Sequence, residues 1–96
     1  MDLYELIRAK RNDILVFSAR FRIEDICIFG SVARHEAREG SDIDFLVEFP
    51  SGTSLLTHAS FERELSELPG YDLVVASVHG LKERIRHSVI QEAVPL

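Results

Sequence analysis

Apolar residues follow two rhythms along this chain, one close to helical spacing and one of short continuous runs, and together they predict the order of elements. Leu3, Leu6, Ile7, Ile14, Phe17 and Phe21 recur at roughly helical steps, interrupted at Lys10 and Arg11. Residues 1–20 therefore predict one amphipathic helix laid on a sheet face. Residues 23–29 read as a largely buried strand that Gly30 ends, and Ser31 suits the N-cap of a short helical turn through Val32, Ala33 and Arg34. After the turn signal Glu39-Gly40-Ser41, residues 42–49 form a second strand closed by Pro50-Ser51-Gly52. Ser54 then caps a helix with the stripe Leu55, His58, Phe61, Leu65 and Leu68, stopped by Pro69-Gly70. Residues 71–76 make a third strand, and Leu81, Ile85, Val89 and Ala93 mark a last helix ending near Pro95. No repeat or linker interrupts this α-β-α-β-α-β-α order. It predicts a single domain over residues 1–96 of α/β (α+β) class, with a small three-stranded mixed sheet flanked by helices.

The polar residues fix the topology. Gly30-Ser31 lies at the C-terminal end of the first strand, whereas Asp42 and Asp44 lie at the N-terminal end of the second. A short link brings those ends together if the strands are antiparallel, which sets a site at one sheet edge. The third strand is reached through a helix, the usual crossover to a parallel partner, so Asp72 lands beside Asp42 and Asp44.

Residues two apart on a strand share a face, so Asp42 and Asp44 project together. Two adjacent carboxylates resist joint ionisation, and a hard divalent cation removes the repulsion. Magnesium suits the pair because it takes one or two carboxylates and completes its shell with water and substrate phosphates. Asp72 adds a ligand for a second metal ion or a general base for an attacking hydroxyl. Opposite them, Gly30 lets backbone approach a phosphate closely and Ser31 offers a hydroxyl and an N–H. Arg34, one turn on, is a candidate phosphate partner, and Ser41 beside Asp42 a further nucleotide-side candidate. Each fragment has a plainer reading: a polar turn at Ser41-Asp42, an ordinary helix cap at Gly30-Ser31, a charged strand entrance at Asp72. Their joint placement at the required strand ends favours chemistry.

Composition narrows the classes. The 96 residues are 46% hydrophobic and 28% charged, with eleven basic against sixteen acidic residues and a net charge of −5. Without a basic run beyond Lys82, Arg84 and Arg86, direct nucleic-acid binding is disfavoured. The lone Cys27 lies in an apolar run, as a small core hydrophobe, and suits a reducing cytoplasm. No stretch is apolar enough to predict a membrane span, and the first residues lack the order of a secretory signal. His35, His58, His79 and His87 show no ligand spacing; they read as satisfied or surface histidines rather than a zinc site.

Residues 30–49 resemble the signature of the DNA polymerase β-type nucleotidyltransferase superfamily, a Gly-Ser followed by a D-x-D strand, here Gly30-Ser31 and Asp42-Ile43-Asp44. The fuller pattern, GSVAR, then SDIDFLVEF and YDLVV, resembles the minimal nucleotidyltransferase (MNT) antitoxins across nearly the whole chain; where GSVAR is often followed by Gly, this chain has His35. The resemblance implies a polymerase β-like fold, magnesium (two ions) on Asp42 and Asp44 with Asp72 completing the triad, and ATP as substrate held at Gly30 and Ser31. It also implies a HEPN-type ribonuclease toxin as protein partner, disabled by AMP transfer to a tyrosine hydroxyl. Two competing readings are an antitoxin that neutralises by covering its toxin and a small-molecule nucleotidyltransferase completed by a separate acceptor-binding subunit.

Overall fold

The computed structural model describes residues 2–68 and 70–96. Asp2 opens the first helix by accepting the Glu5 N–H at 2.8 Å, and α1 (Leu3–Ala9) is followed at once by α2 (Arg11–Ala19). The single helix expected here is thus two. Lys10 sits between them at φ −94°, ψ 5°, with no Gly or Pro to announce the bend. Tertiary packing makes it: α1 rests on α3 and α2 on α4.

The strands are β1 (Ile26–Phe29), β2 (Ile43–Val47), β3 (Leu73–Ser77) and β4 (Val94–Pro95), ordered β3-β2-β1-β4. β1 is antiparallel to β2, and β2 is parallel to β3. Both pairings follow the expectation, but the sheet has four strands instead of three. Residues 94 and 95, assigned in advance to the end of the last helix, add antiparallel to β1 with Val94 opposite Ile28. Proline is tolerated there because β4 is an edge with no further neighbour to bond. β1 is consequently an interior strand, as β2 already is between β1 and β3, and the site lies at the rim where β1 ends and β2 and β3 begin.

Alternation on β2 separates two layers. Ile43, Phe45 and Val47 are buried with Ile26, Ile28 and Val75 against Ile7 of α1, Ile14 of α2 and Phe61 and Leu65 of α4 (Leu55–Leu65). Phe17, Phe21 and Phe49 pack around Phe61 at centroid distances of 5.5, 5.1 and 5.7 Å. Ser54 caps α4 as expected, accepting the Thr57 N–H at 3.1 Å. The stripe does not begin at Leu55, which is 86% exposed. α4 closes at Ser66; of the expected stop, Pro69 lies outside the described residues. The other face of β2 carries Asp44 and Leu46. α3 (Gly30–Ala33) adjoins β1, β2, α1 and α5 (Glu83–Glu92), with its Val32 in the core.

Candidate active site

The β1–β2 register sets Phe29 opposite Asp44, so Gly30 emerges directly beside the Asp44 carboxylate. Gly30 has φ +72°, and a Cβ placed there would collide with Asp44 Oδ2 and stand 3.2 Å from Cγ. Glycine is needed here both for the left-handed backbone and for the missing carbon. Phe29, not Ser31, occupies the N-cap of α3, and no side chain caps it. Ser31 therefore falls inside the first turn, where an N–H has no intrahelical partner.

Asp44 is half-buried and Asp42 exposed. Burial pushes the Asp44 carboxyl above its ordinary value, the Asp42 and Glu92 charges push the same way, and the Arg34 guanidinium opposes them. The carboxylate thus sits in a site that resists its charge until a cation arrives, which the donor set fits: one or two carboxylates with room for water and phosphate oxygens suit magnesium. Asp72 immediately precedes β3, Ile43 pairs with Leu73, and the Ile43 N–H donates to the Asp72 carbonyl at 3.1 Å. Asp72 and Asp42 accordingly stand at the entrances of neighbouring parallel strands, both exposed. Asp72 is not among the charges that act on Asp44, and no group of three His, Cys, Asp or Glu side chains among the described residues stands close enough to hold an ion. The protein by itself presents a carboxylate pair, Asp42 and Asp44, with Asp72 at the adjoining strand entrance.

Arg34 donates from Nε to Glu36 Oε2 at 3.1 Å and from Nη1 to Glu92 Oε1. Those two carboxylates raise its already high pKa, Glu92 first. Glu92 also accepts the Gly30 N–H at 3.1 Å, and the Arg34 guanidinium holds the Glu92 carboxyl below its usual range. Sequence reading did not find Glu92. One signal was available: an acid in the last turn of a helix opposes the helix dipole, so it needs a partner elsewhere. Ser41 is engaged in its own turn, its Oγ accepting the Arg38 N–H at 2.9 Å.

His35 follows α3 at φ +60°. The His35 N–H bonds the Val32 carbonyl at 3.1 Å and the Glu36 N–H bonds the Ser31 carbonyl at 2.8 Å, the paired closure that ends many helices in a left-handed residue. The Tyr4 ring lies 4.2 Å from the imidazole, and Asp2 Oδ2 stands 3.4 Å from Nδ1. Histidine thus replaces the usual glycine with the strain offset by contacts to the N-terminal helix. His35→Val, which makes a β-branched residue adopt φ +60°, is expected to lower stability by about 1–2 kcal/mol in thermal unfolding. His58 bonds the Val75 carbonyl through Nε2 at 2.8 Å, a satisfied histidine as expected. Arg86 donates to the carbonyls of Val78 and Leu81 at 3.1 and 2.8 Å, so it braces its own loop.

A helical turn opened by Gly-Ser, set against paired aspartates at the start of the adjoining antiparallel strand, defines a nucleotidyltransferase of the polymerase β type. Residues 12–94 match the family described as nucleotidyltransferase domain, and the chain belongs to that family. It is 39% identical over 75 residues to the protein adenylyltransferase MntA of Thermococcus cleftensis, covering 78% of this chain and 76% of that protein. A Methanocaldococcus jannaschii protein named as a candidate protein adenylyltransferase is 34% identical over 84 residues, 88% of this chain and 90% of its own length. Among solved structures, one described as a candidate minimal nucleotidyltransferase superposes with TM-score 0.87 at 45% identity, covering 100% of this chain and 97% of the other. A chain from a Shewanella oneidensis complex of a tri-AMPylated HEPN toxin with its MNT antitoxin shares the fold at TM-score 0.71 and 14% identity, covering 92% of this chain and 69% of its own. No helix among the described residues is long and apolar enough to cross a membrane.

Proposed function

We propose that residues 1–96 form one catalytic unit, a cytoplasmic magnesium-dependent antitoxin that transfers AMP from ATP to a tyrosine hydroxyl of a HEPN ribonuclease toxin. The observation that carries this reading is the contact between the Gly30 backbone and the Asp44 carboxylate, which sets a phosphate turn face to face with a cation-binding pair. Ser31 and Arg34 hold the triphosphate, with Ser41 on the nucleotide side. Asp42 and Asp44 would hold magnesium, two ions with Asp72 as a further ligand, and the metal would there screen the phosphate charge. Asp72 accepts the proton of the tyrosine hydroxyl, whose oxygen forms the new bond to the α-phosphorus. The bond from that phosphorus to the β-phosphate oxygen breaks, and pyrophosphate leaves. The 2′,3′-diol and base of the nucleotide take no part in the balance. A net charge of −5 disfavours a nucleic-acid acceptor, and the likeness to a protein adenylyltransferase favours a protein that brings its own docking surface over a small molecule.

The test is the intact mass of a cognate HEPN partner after incubation with this protein, ATP and magnesium. The mass is expected to rise by one or more AMP units, and a tyrosine-free variant of the acceptor segment is expected to stay unmodified. An unchanged partner mass, together with Asp44→Ala still protecting cells from the toxin, would establish neutralisation by covering instead. Asp72→Asn is expected to slow transfer by about 10²–10⁴-fold, the range for removing a general base, with ATP-magnesium affinity falling far less because Asp42 and Asp44 keep the first ion. Equilibrium binding run beside single-turnover transfer separates the two effects.

A further inference from the structure

We infer that Glu92 is a positioning residue, a carboxylate clamp that fixes the phosphate turn by holding its first and last residues at once. The inference rests on the nucleotidyl-transfer reading of the same site. One oxygen, Oε2, accepts the Gly30 N–H at 3.1 Å, while Oε1 takes Arg34 Nη1. Gly30 and Arg34 bracket α3 from its first residue to its C-cap. A single side chain from the far end of the sequence therefore spans one complete turn and sets both its pitch and the direction of the guanidinium.

Two features separate a clamp from a carboxylate that merely occupies the phosphate site. Donors remain for a phosphate: Arg34 uses Nε on Glu36 and one Nη1 hydrogen on Glu92, leaving the second Nη1 hydrogen and both on Nη2, and the Ser31 N–H has no helical partner. Glu92 also sits in the last turn of α5, where the helix dipole disfavours negative charge. Its carboxylate is accordingly placed at a cost to its own helix, which the Gly30 N–H and the Arg34 guanidinium offset. A loop whose glycine already adopts φ +72° has several backbone alternatives without such a tether. Arg34 untethered is a long, rotamer-rich side chain whose ordering weakens phosphate binding.

The experiment compares wild type, Glu92→Gln and Glu92→Asp as full chains, with ATP-magnesium affinity measured by calorimetry and the Gly30 amide followed by ¹⁵N NMR without nucleotide. Gln keeps one acceptor but loses the charged partner of Arg34, and Asp is one methylene too short to reach both groups. Both variants are expected to bind ATP-magnesium about tenfold more weakly, the effect of losing one charge-assisted hydrogen bond. The Gly30 amide resonance is expected to move in both. In an Arg34→Ala background, the Glu92→Gln effect on affinity is expected to shrink severalfold. Tighter ATP binding in Glu92→Gln would show that Glu92 competes with phosphate, and unchanged affinity with a lowered melting temperature would show a mere brace between α3 and α5. Either overturns the clamp. An unmoved Gly30 amide overturns it without reference to nucleotide. Wild type that binds no ATP while the amide shifts as expected would instead defeat the nucleotidyl-transfer reading and leave the tether standing.

Discussion

Asp44→Asn is expected to reduce AMP transfer by about 10³-fold or more, the scale of removing a principal electrostatic stabiliser, and to make the metal-free protein more stable at neutral pH. The second effect follows from the site's electrostatics. Burial and the neighbouring Asp42 charge push the Asp44 carboxyl up, so the folded state binds its proton more tightly than the unfolded chain does. Below the unfolded value both states are protonated and the site costs nothing. As pH rises through the window between the unfolded and the folded values, wild type loses stability, and the penalty persists above it. Asparagine has the same shape and no charge to bury. Denaturant unfolding across pH 3–8 in chelator should show the two proteins alike in acid and the variant ahead at neutral pH. Magnesium with ATP should reverse the order, because only wild type gains from binding them. Equal stability at every pH would mean that Asp44 is not under the strain described. A catalytic carboxylate that weakens its own fold is a common compromise between stability and activity.

Gly30→Ala carries the other large effect. The added methyl would meet the Asp44 carboxylate, and since the β1–β2 ladder fixes both backbones it is the carboxylate that must turn away from its place beside Asp42. Left-handed backbone adds its own cost, φ being +72°. Together they are expected to destabilise the protein by about 1–3 kcal/mol and to slow transfer by at least about 10²-fold, since a displacement near 1 Å suffices for that. Gly52→Ala separates the two causes. Gly52 has φ +86°, yet nothing lies within 4 Å of a Cβ there, so it is expected to lose about 1–2 kcal/mol of stability and to keep full transfer activity. Urea unfolding and single-turnover transfer for both variants decide the matter. Equal catalytic loss in the two would point to backbone strain, not to the contact with Asp44.

Much of this arrangement could be read from the chain because chemistry and topology constrain one another. A phosphate turn at the end of one strand and carboxylates at the start of the next can meet only if the strands are antiparallel, and they are. The helix between β2 and β3 demanded a parallel pair, and the register obeys. What escaped was decided by contacts between distant segments. The apolar rhythm does falter at Lys10 and Arg11, but with no Gly or Pro there it does not announce a break, and the bend reflects α1 and α2 packing on different helices. β4 is two residues long, too short to show any periodicity, and exists only because β1 offers an open side. Ser31 resembled a cap because serine at a strand end often is one, but Gly30 turns the chain a residue earlier. Glu92 and Gly30 are 62 residues apart, a separation at which no spacing rule operates.

The direction in which the strands run has a practical sequel for anyone wishing to watch this molecule work. With the end of β1 and the beginnings of β2 and β3 gathered at one rim, the loop after β2 stands a full strand away, at least roughly 15 Å at about 3.3 Å per residue. Ser51 is exposed in that loop, and the one native thiol, Cys27, is made less reactive as burial pushes it up. In a Cys27→Ser background, a dye attached through Ser51→Cys would label a single position and report on tumbling or association from the quiet end of the sheet.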